Sequence, residues 1–144
     1  APRARSIVCV DASPRVVTAA RERLKCFANV EVVTGDMHAL DLGRRRFDLV
    51  LLMHALTYSE KPATVVAEAA RVLAKGGRLL AATLGKHAHH GAVEPFDHRN
   101  LGFRPADLRG FAENAGLEVL KCERITRESK APHFEVLTLL ARKP

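Results

Sequence analysis

The chain has no tryptophan, one tyrosine, two methionines and three cysteines among its 144 residues. Cys9, Cys26 and Cys122 are odd in number, far apart and without a CxxC pair. That argues against a disulfide frame or a zinc site and reads as reduced thiols in a cytoplasmic protein. No apolar run approaches the roughly 20 residues a membrane helix needs, and the opening APRARS lacks the apolar segment of a signal peptide. No membrane partner is therefore expected. Repeats, low-complexity tracts and linkers are also missing, so residues 1–144 read as one domain. Acidic residues are the scarcer charge, 16 against 23 basic, for a net charge of +7. Such an excess can signal a polyanionic partner. Here the basic residues are scattered, and only Arg44, Arg45 and Arg46 form a tight run. No aromatic residues alternate with them, as a groove for single-stranded nucleic acid requires.

What is present is an alternation of short apolar runs with helix-period segments. Residues 6–10 (SIVCV) have strand length and end at Asp11. Ser13 as N-cap and Pro14 at the first helical position open a helix to about residue 25, with Val17, Ala20 and Leu24 on one face. Residues 30–34 form a second strand, closed by Gly35-Asp36. Residues 47–53 (FDLVLLM) form a third, apolar enough to be covered on both faces. A helix over 62–74 carries Val65, Ala69, Val72 and Leu73 on one stripe and stops at Lys75-Gly76-Gly77. A strand over 78–84, a polar loop over 87–102 and a helix over 105–115, stopped by Gly116, come next. Strands over 117–124 and about 133–141 finish the chain, and their short connection predicts an antiparallel pair. The expected class is α/β: a doubly wound, mostly parallel sheet with helices on its faces and an antiparallel C-terminal strand.

In such sheets ligands bind beyond the carboxyl ends of the strands. Asp11 ends the first strand, where a carboxylate can accept both hydroxyls of a ribose, or merely cap the following helix. After the second strand come Gly35, Asp36 and Met37. Glycine allows close approach to a ring, aspartate accepts amino hydrogens, and methionine packs on a ring face. Taken singly, the three also read as a plain Gly-Asp turn. Two aspartates, each closing a strand and separated by one helix, favour a nucleoside cofactor.

The blocks VCVDASPRVVTAARERL, NVEVVTGDMHAL, RRRFDLVLLMHALTY and EAARVLAKGGRLLAATLG resemble, in that order, the signature segments of class I S-adenosylmethionine-dependent methyltransferases. The resemblance covers almost the whole chain and is closest to small-molecule enzymes that often follow a winged-helix DNA-binding region. It implies Asp11 on the cofactor ribose, Ala12 beside the adenine, Asp36 on its amino group and Met37 flanking the ring. It implies Met53 and His54 at the methionine end. The family pattern also begins with a strand and a glycine-rich loop ahead of the Asp11 strand, and only APRAR stands there. The chain is therefore expected to be an N-terminally incomplete domain. With strands about 4.8 Å apart, the missing one would leave a slot about twice as wide between the Asp11 and Phe47 strands. Self-association through the open edges is the expected consequence.

His54 and Tyr58, just past the third strand, are the candidates for acceptor chemistry, His54 as a base or as a polar lining residue. The 87–102 loop holds four of the seven histidines. His87, His89 and His98 are expected to contact the acceptor. His87, His89, His90, Asp97 and His98 can also be read as metal ligands, but they lack ligand spacing, and no metal is expected. A small molecule is the favoured acceptor and RNA the second choice. Two other readings stay open. One is a nicotinamide-dependent oxidoreductase. The other is a non-catalytic module that binds a cofactor or effector for a regulator.

Overall fold

A computed structural model describes residues 3–89, 91, 94–96 and 98–144 of the chain. They divide into two compact units, Ala1–Gly43 and Arg44–Pro144. In the first unit, β1 (Ile7–Asp11), α1 (Pro14–Leu24) and β2 (Val30–Thr34) form a β-α-β unit with parallel strands. Ser13 has extended backbone and its Oγ accepts from the Val16 N–H at 3.4 Å, which with Pro14 fixes where α1 begins. Val17 is buried, Ala20 and Leu24 half-buried, as their period predicts. The helix is tied to the sheet by Arg21, whose Nε donates to the Val32 carbonyl at 3.0 Å. Strand β1 ends one residue later than expected because Asp11 still pairs with Thr34.

The second unit holds β3 (Phe47–Met53), a 3₁₀ turn (Ala55–Tyr58), α2 (Pro62–Val72), β4 (Leu73–Leu84), a second 3₁₀ turn (Glu94–Phe96), α3 (Pro105–Asn114), β5 (Glu118–Arg127) and β6 (Glu135–Arg142). The strand order is β3-β4-β6-β5. Strand β4 runs parallel to β3, while β6 is antiparallel to both β4 and β5. This is the expected mostly parallel sheet with one reversed C-terminal strand. Its core is Leu56, Val65, Val66, Leu73, Leu79, Leu108 and Leu139, all at most 1% exposed. The Gly116 stop holds as well: its φ is +76°, and the Leu117 N–H returns to the Ala112 carbonyl at 3.0 Å.

Two expectations fail here for identifiable reasons. Helix α2 ends at Val72, and Lys75-Gly76-Gly77 lies within β4 instead of stopping the helix. Leu73 is already extended and pairs with Phe47, while Lys143 Nζ donates to the carbonyls of Ala70 at 2.8 Å and Leu73 at 2.9 Å. A cation from the far end of the chain thus closes the helix, as its terminal dipole favours. Gly76 takes a left-handed φ of +78°, and Gly77 lies where a Cβ would stand 2.9 Å from the carbonyl oxygens of Ala74 and Phe47. The pair serves a kink in a strand. Strand β3, expected to be covered on both faces, is the edge strand of its sheet, and Leu49, Leu51 and Met53 are 52–60% exposed. No helix among the described residues is long and apolar enough to cross a membrane.

Candidate functional site

In the first unit the parallel pairing brings Asp11, Gly35 and Asp36 to one end of the two strands. The Gly35 N–H donates to the Asp11 carbonyl at 3.0 Å. A Cβ at residue 35 would lie 2.9 Å from Val10 Cγ1, so glycine leaves room for the Val10 side chain between the two strand ends. Asp11 Oδ1 accepts from the Ser13 N–H at 2.8 Å. The capping role is therefore real, and the carboxylate is exposed beside Ala12, itself exposed. Met37 is half-buried.

Asp36 has a partner that sequence reading missed. Its Oδ1 accepts from the His38 N–H at 2.8 Å and lies 2.7 Å from His38 Nδ1. The His38 backbone bond, then its ring, holds the Asp36 carboxyl below its usual 3.8. A folded-state value below the unfolded one means the interaction is fully present above about pH 3.8 and is lost as pH falls through the lower folded value. Asp36 is thus a carboxylate acceptor throughout the neutral range. Carboxyl NMR titration should find its midpoint below 3.8, and His38→Ala should move it upward. Because alanine keeps the His38 N–H, a midpoint unchanged by that substitution contradicts the part assigned to the ring.

In the second unit β3 delivers Met53, 60% exposed, and then His54 in the left-handed region at φ +56°. Such a backbone is costly for a residue with a Cβ and needs support. The His54 N–H donates to the Ala82 carbonyl at 2.7 Å, and its own carbonyl accepts from Thr57 Oγ1 at 2.6 Å. The His54–Tyr58 turn is in turn gripped by the 87–102 loop. The Arg99 and Asn100 N–H groups donate to the Thr57 carbonyl at 2.8 and 3.0 Å. Asn100 Nδ2 reaches the carbonyls of Leu56, at 3.2 Å, and Ser59. Asn100 is the residue that organises this turn, and nothing local in the sequence marks it. Tyr58 packs edge-on against His98, with ring centroids 5.2 Å apart.

His87 and His89 stack at 5.8 Å, and both rings lie against Phe134, at 4.7 and 5.9 Å. The His87 Nδ1 accepts from the His89 N–H at 3.2 Å. His98 thus packs with Tyr58, and His87 packs with His89 and Phe134. His90 and Asp97 lie outside the described residues. Among those described, no three histidine, cysteine or acidic side chains are grouped as metal ligands.

This arrangement has relatives. Residues 1–81 match the family described as a methyltransferase domain, so the chain belongs to that family. Over 74 residues it is 38% identical to an uncharacterised 37.1 kDa protein in transposon TN4556 of Streptomyces fradiae. The match takes in 51% of this chain and 21% of that protein, so the matched stretch spans about a fifth of the curated relative. Among solved structures, the N-methyltransferase NodS of Bradyrhizobium japonicum, in complex with S-adenosyl-L-homocysteine, aligns over 100% of this chain and 69% of its own. The TM-score is 0.77 at 18% identity. YcgJ of Bacillus subtilis aligns over 99% of this chain and 84% of its own, with a TM-score of 0.78 at 14% identity. The [4+2]-cyclase SpnF gives 0.80 at 20% identity over 96% and 66%. These likenesses establish the Rossmann-like methyltransferase fold.

Proposed function

We propose that the protein transfers a methyl group from S-adenosylmethionine to a small-molecule acceptor. The observation that carries this reading is the family match over residues 1–81 together with two exposed carboxylates, Asp11 and Asp36, at adjacent strand ends joined through Gly35. Those residues fit the cofactor chemically. Asp11 accepts from the ribose hydroxyls, and Asp36, ionised at neutral pH, accepts from the adenine amino group. Ala12, Gly35 and Met37 flank the ring; the family resemblance alone assigns Met53 and His54 to the methionine end. The bound cofactor supplies an electrophilic methyl group on a sulfonium.

The displacement needs alignment and exclusion of water more than a strong acid. The backbone-locked His54, with Tyr58 and His98, suits positioning of the acceptor nucleophile. His54 acts as a base only where the acceptor must lose a proton. The resemblance assigns the loop histidines His87 and His89, which pack on Phe134, to the acceptor side. A cyclase shares the fold, so methyl transfer rests on the family and not on the fold.

Among the described residues β1 pairs only with β2 and β3 only with β4, which supports a strand supplied from outside this chain, with self-association where none is supplied. The resemblance alone supports an upstream winged-helix region. Equilibrium dialysis of the full-length protein tests the cofactor. Labelled S-adenosylmethionine should be retained and reduced nicotinamide dinucleotide should not; the opposite result refutes the proposal.

A further inference from the structure

An open cavity of about 520 Å³ lies in the second unit, lined by Lys86, Phe103, Arg104, Arg124, Glu135 and Leu137 among others. Its apolar side chains, Phe103 and Leu137, are 5% and 3% exposed, and the Phe103 ring is held edge-on by Phe111 at 6.0 Å. Three cations line it, and two are already matched. Arg124 Nη1 lies 2.9 Å from Glu135 Oε1, and Arg104 Nη2 lies 2.9 Å from Asp107 Oδ1. Arg104 also holds the Asp107 carboxyl below its usual range, with a smaller contribution from Lys86. Lys86 has no ion pair among the described residues. Among the described residues, the cavity is left with one unmatched positive charge above an apolar floor.

The backbone beneath that charge is fixed. The Lys86 N–H donates to the Phe103 carbonyl at 2.9 Å, and the Phe103 N–H to Leu84 at 3.0 Å. Gly85 donates to the Glu135 carbonyl at 2.8 Å. The cavity also lies toward the end of the sheet that carries His54. His54 donates to Ala82, and Gly85 stands three residues further along the chain, about 10 Å at the usual strand rise.

We infer that this cavity seats the anionic end of the methyl acceptor, a small organic carboxylate or phosphate, with Lys86 as its charge partner and Phe103 and Leu137 beneath its hydrocarbon. This assignment of the ligand as acceptor rests on the methyl-transfer reading above. The anion site itself does not, and the test separates them. Benzoate, phenyl phosphate and benzylamine are titrated into the ¹⁵N-labelled full-length protein without cofactor, following the amide signals of Lys86, Phe103 and Leu137. One or both anions should shift these signals saturably, the tighter of the two identifying the head group, and benzylamine should not. Lys86→Met should weaken the anion about three- to tenfold, as expected for a charged contact near solvent. Lys86→Glu should abolish binding, and neither variant should alter affinity for S-adenosylhomocysteine. Equal shifts by benzylamine, or undiminished anion binding by Lys86→Met, overturn the site. Failure of S-adenosylhomocysteine to bind while the anion does refutes the acceptor assignment and leaves the anion site intact.

Discussion

Replacing Gly102 by alanine should lower the stability of the protein by about 3 kcal/mol or more, whereas the same change at Gly110 should raise it by about 0.5–1 kcal/mol. Gly102 has φ +76°, where a Cβ is itself unfavourable by about 1–2 kcal/mol. The added methyl would also run into the Gly85 carbonyl and stand 2.8 Å from that of Leu84. These are backbone atoms, and both residues are committed. Gly85 bridges to Phe103, and Leu84 accepts from the Phe103 N–H at 3.0 Å. The clash is relieved only by breaking that bridge, and each backbone group left buried and unsatisfied costs about 1–3 kcal/mol. Against a total of about 5–15 kcal/mol for a domain, the loss is large. Gly110 is within α3, where an added methyl would meet no atom within 4 Å, and alanine there gains from the lower entropy of its unfolded chain. Urea melts of the two variants beside the natural protein check the contrast. Because Gly102 closes the base of the loop that starts at Lys86, its alanine variant should also weaken the anion site.

Much of this architecture is legible in the residues, for local reasons. The three α-helices given bounds among the described residues each begin on proline at the first helical turn, and α1 is preceded by a capping serine. Asp11 and Asp36 stand out because each follows an apolar run of strand length. Sequence and structure part where distant contacts decide. The end of α2 depends on Lys143 and Phe47, and a left-handed glycine after a helix reads the same whether it caps the helix or kinks a strand. The FDLVLLM segment hides which face is exposed because Leu49, Leu51 and Met53 are all apolar and its one polar residue, Asp48, lies on the other face. Asn100 acts on Leu56 and Ser59, 44 and 41 residues away, and no spacing rule reaches that far. The His38–Asp36 contact is within reach of the sequence, since an aspartate two residues before a backbone N–H commonly accepts from it. The His87–His89 stack likewise follows from two rings at alternate positions of an extended segment.

The second large effect concerns Asp11. Its Oδ1 holds the Ser13 N–H at 2.8 Å, so removing the carboxylate disturbs the start of α1 as well as any ligand. Asp11→Asn retains an oxygen for Ser13 while removing the charge, and it should melt close to the natural protein. Asp11→Ala should lose both roles. Hydrogen bonds from a carboxylate to ribose hydroxyls contribute about 1.5–3 kcal/mol, so affinity for S-adenosylhomocysteine should fall roughly 10- to 150-fold. Asp11→Asn should show an intermediate loss of binding with little loss of stability, separating recognition from folding.

Calorimetric titration of S-adenosylhomocysteine into the full-length protein and its Asp11→Ala variant is the most direct measurement of the central claim, with reduced nicotinamide dinucleotide as the competing ligand. The account predicts binding of S-adenosylhomocysteine, its weakening in the variant by the factor given above, and no preference for the dinucleotide. Unchanged affinity in Asp11→Ala would contradict the ribose assignment, and a preference for the dinucleotide would contradict methyl transfer itself.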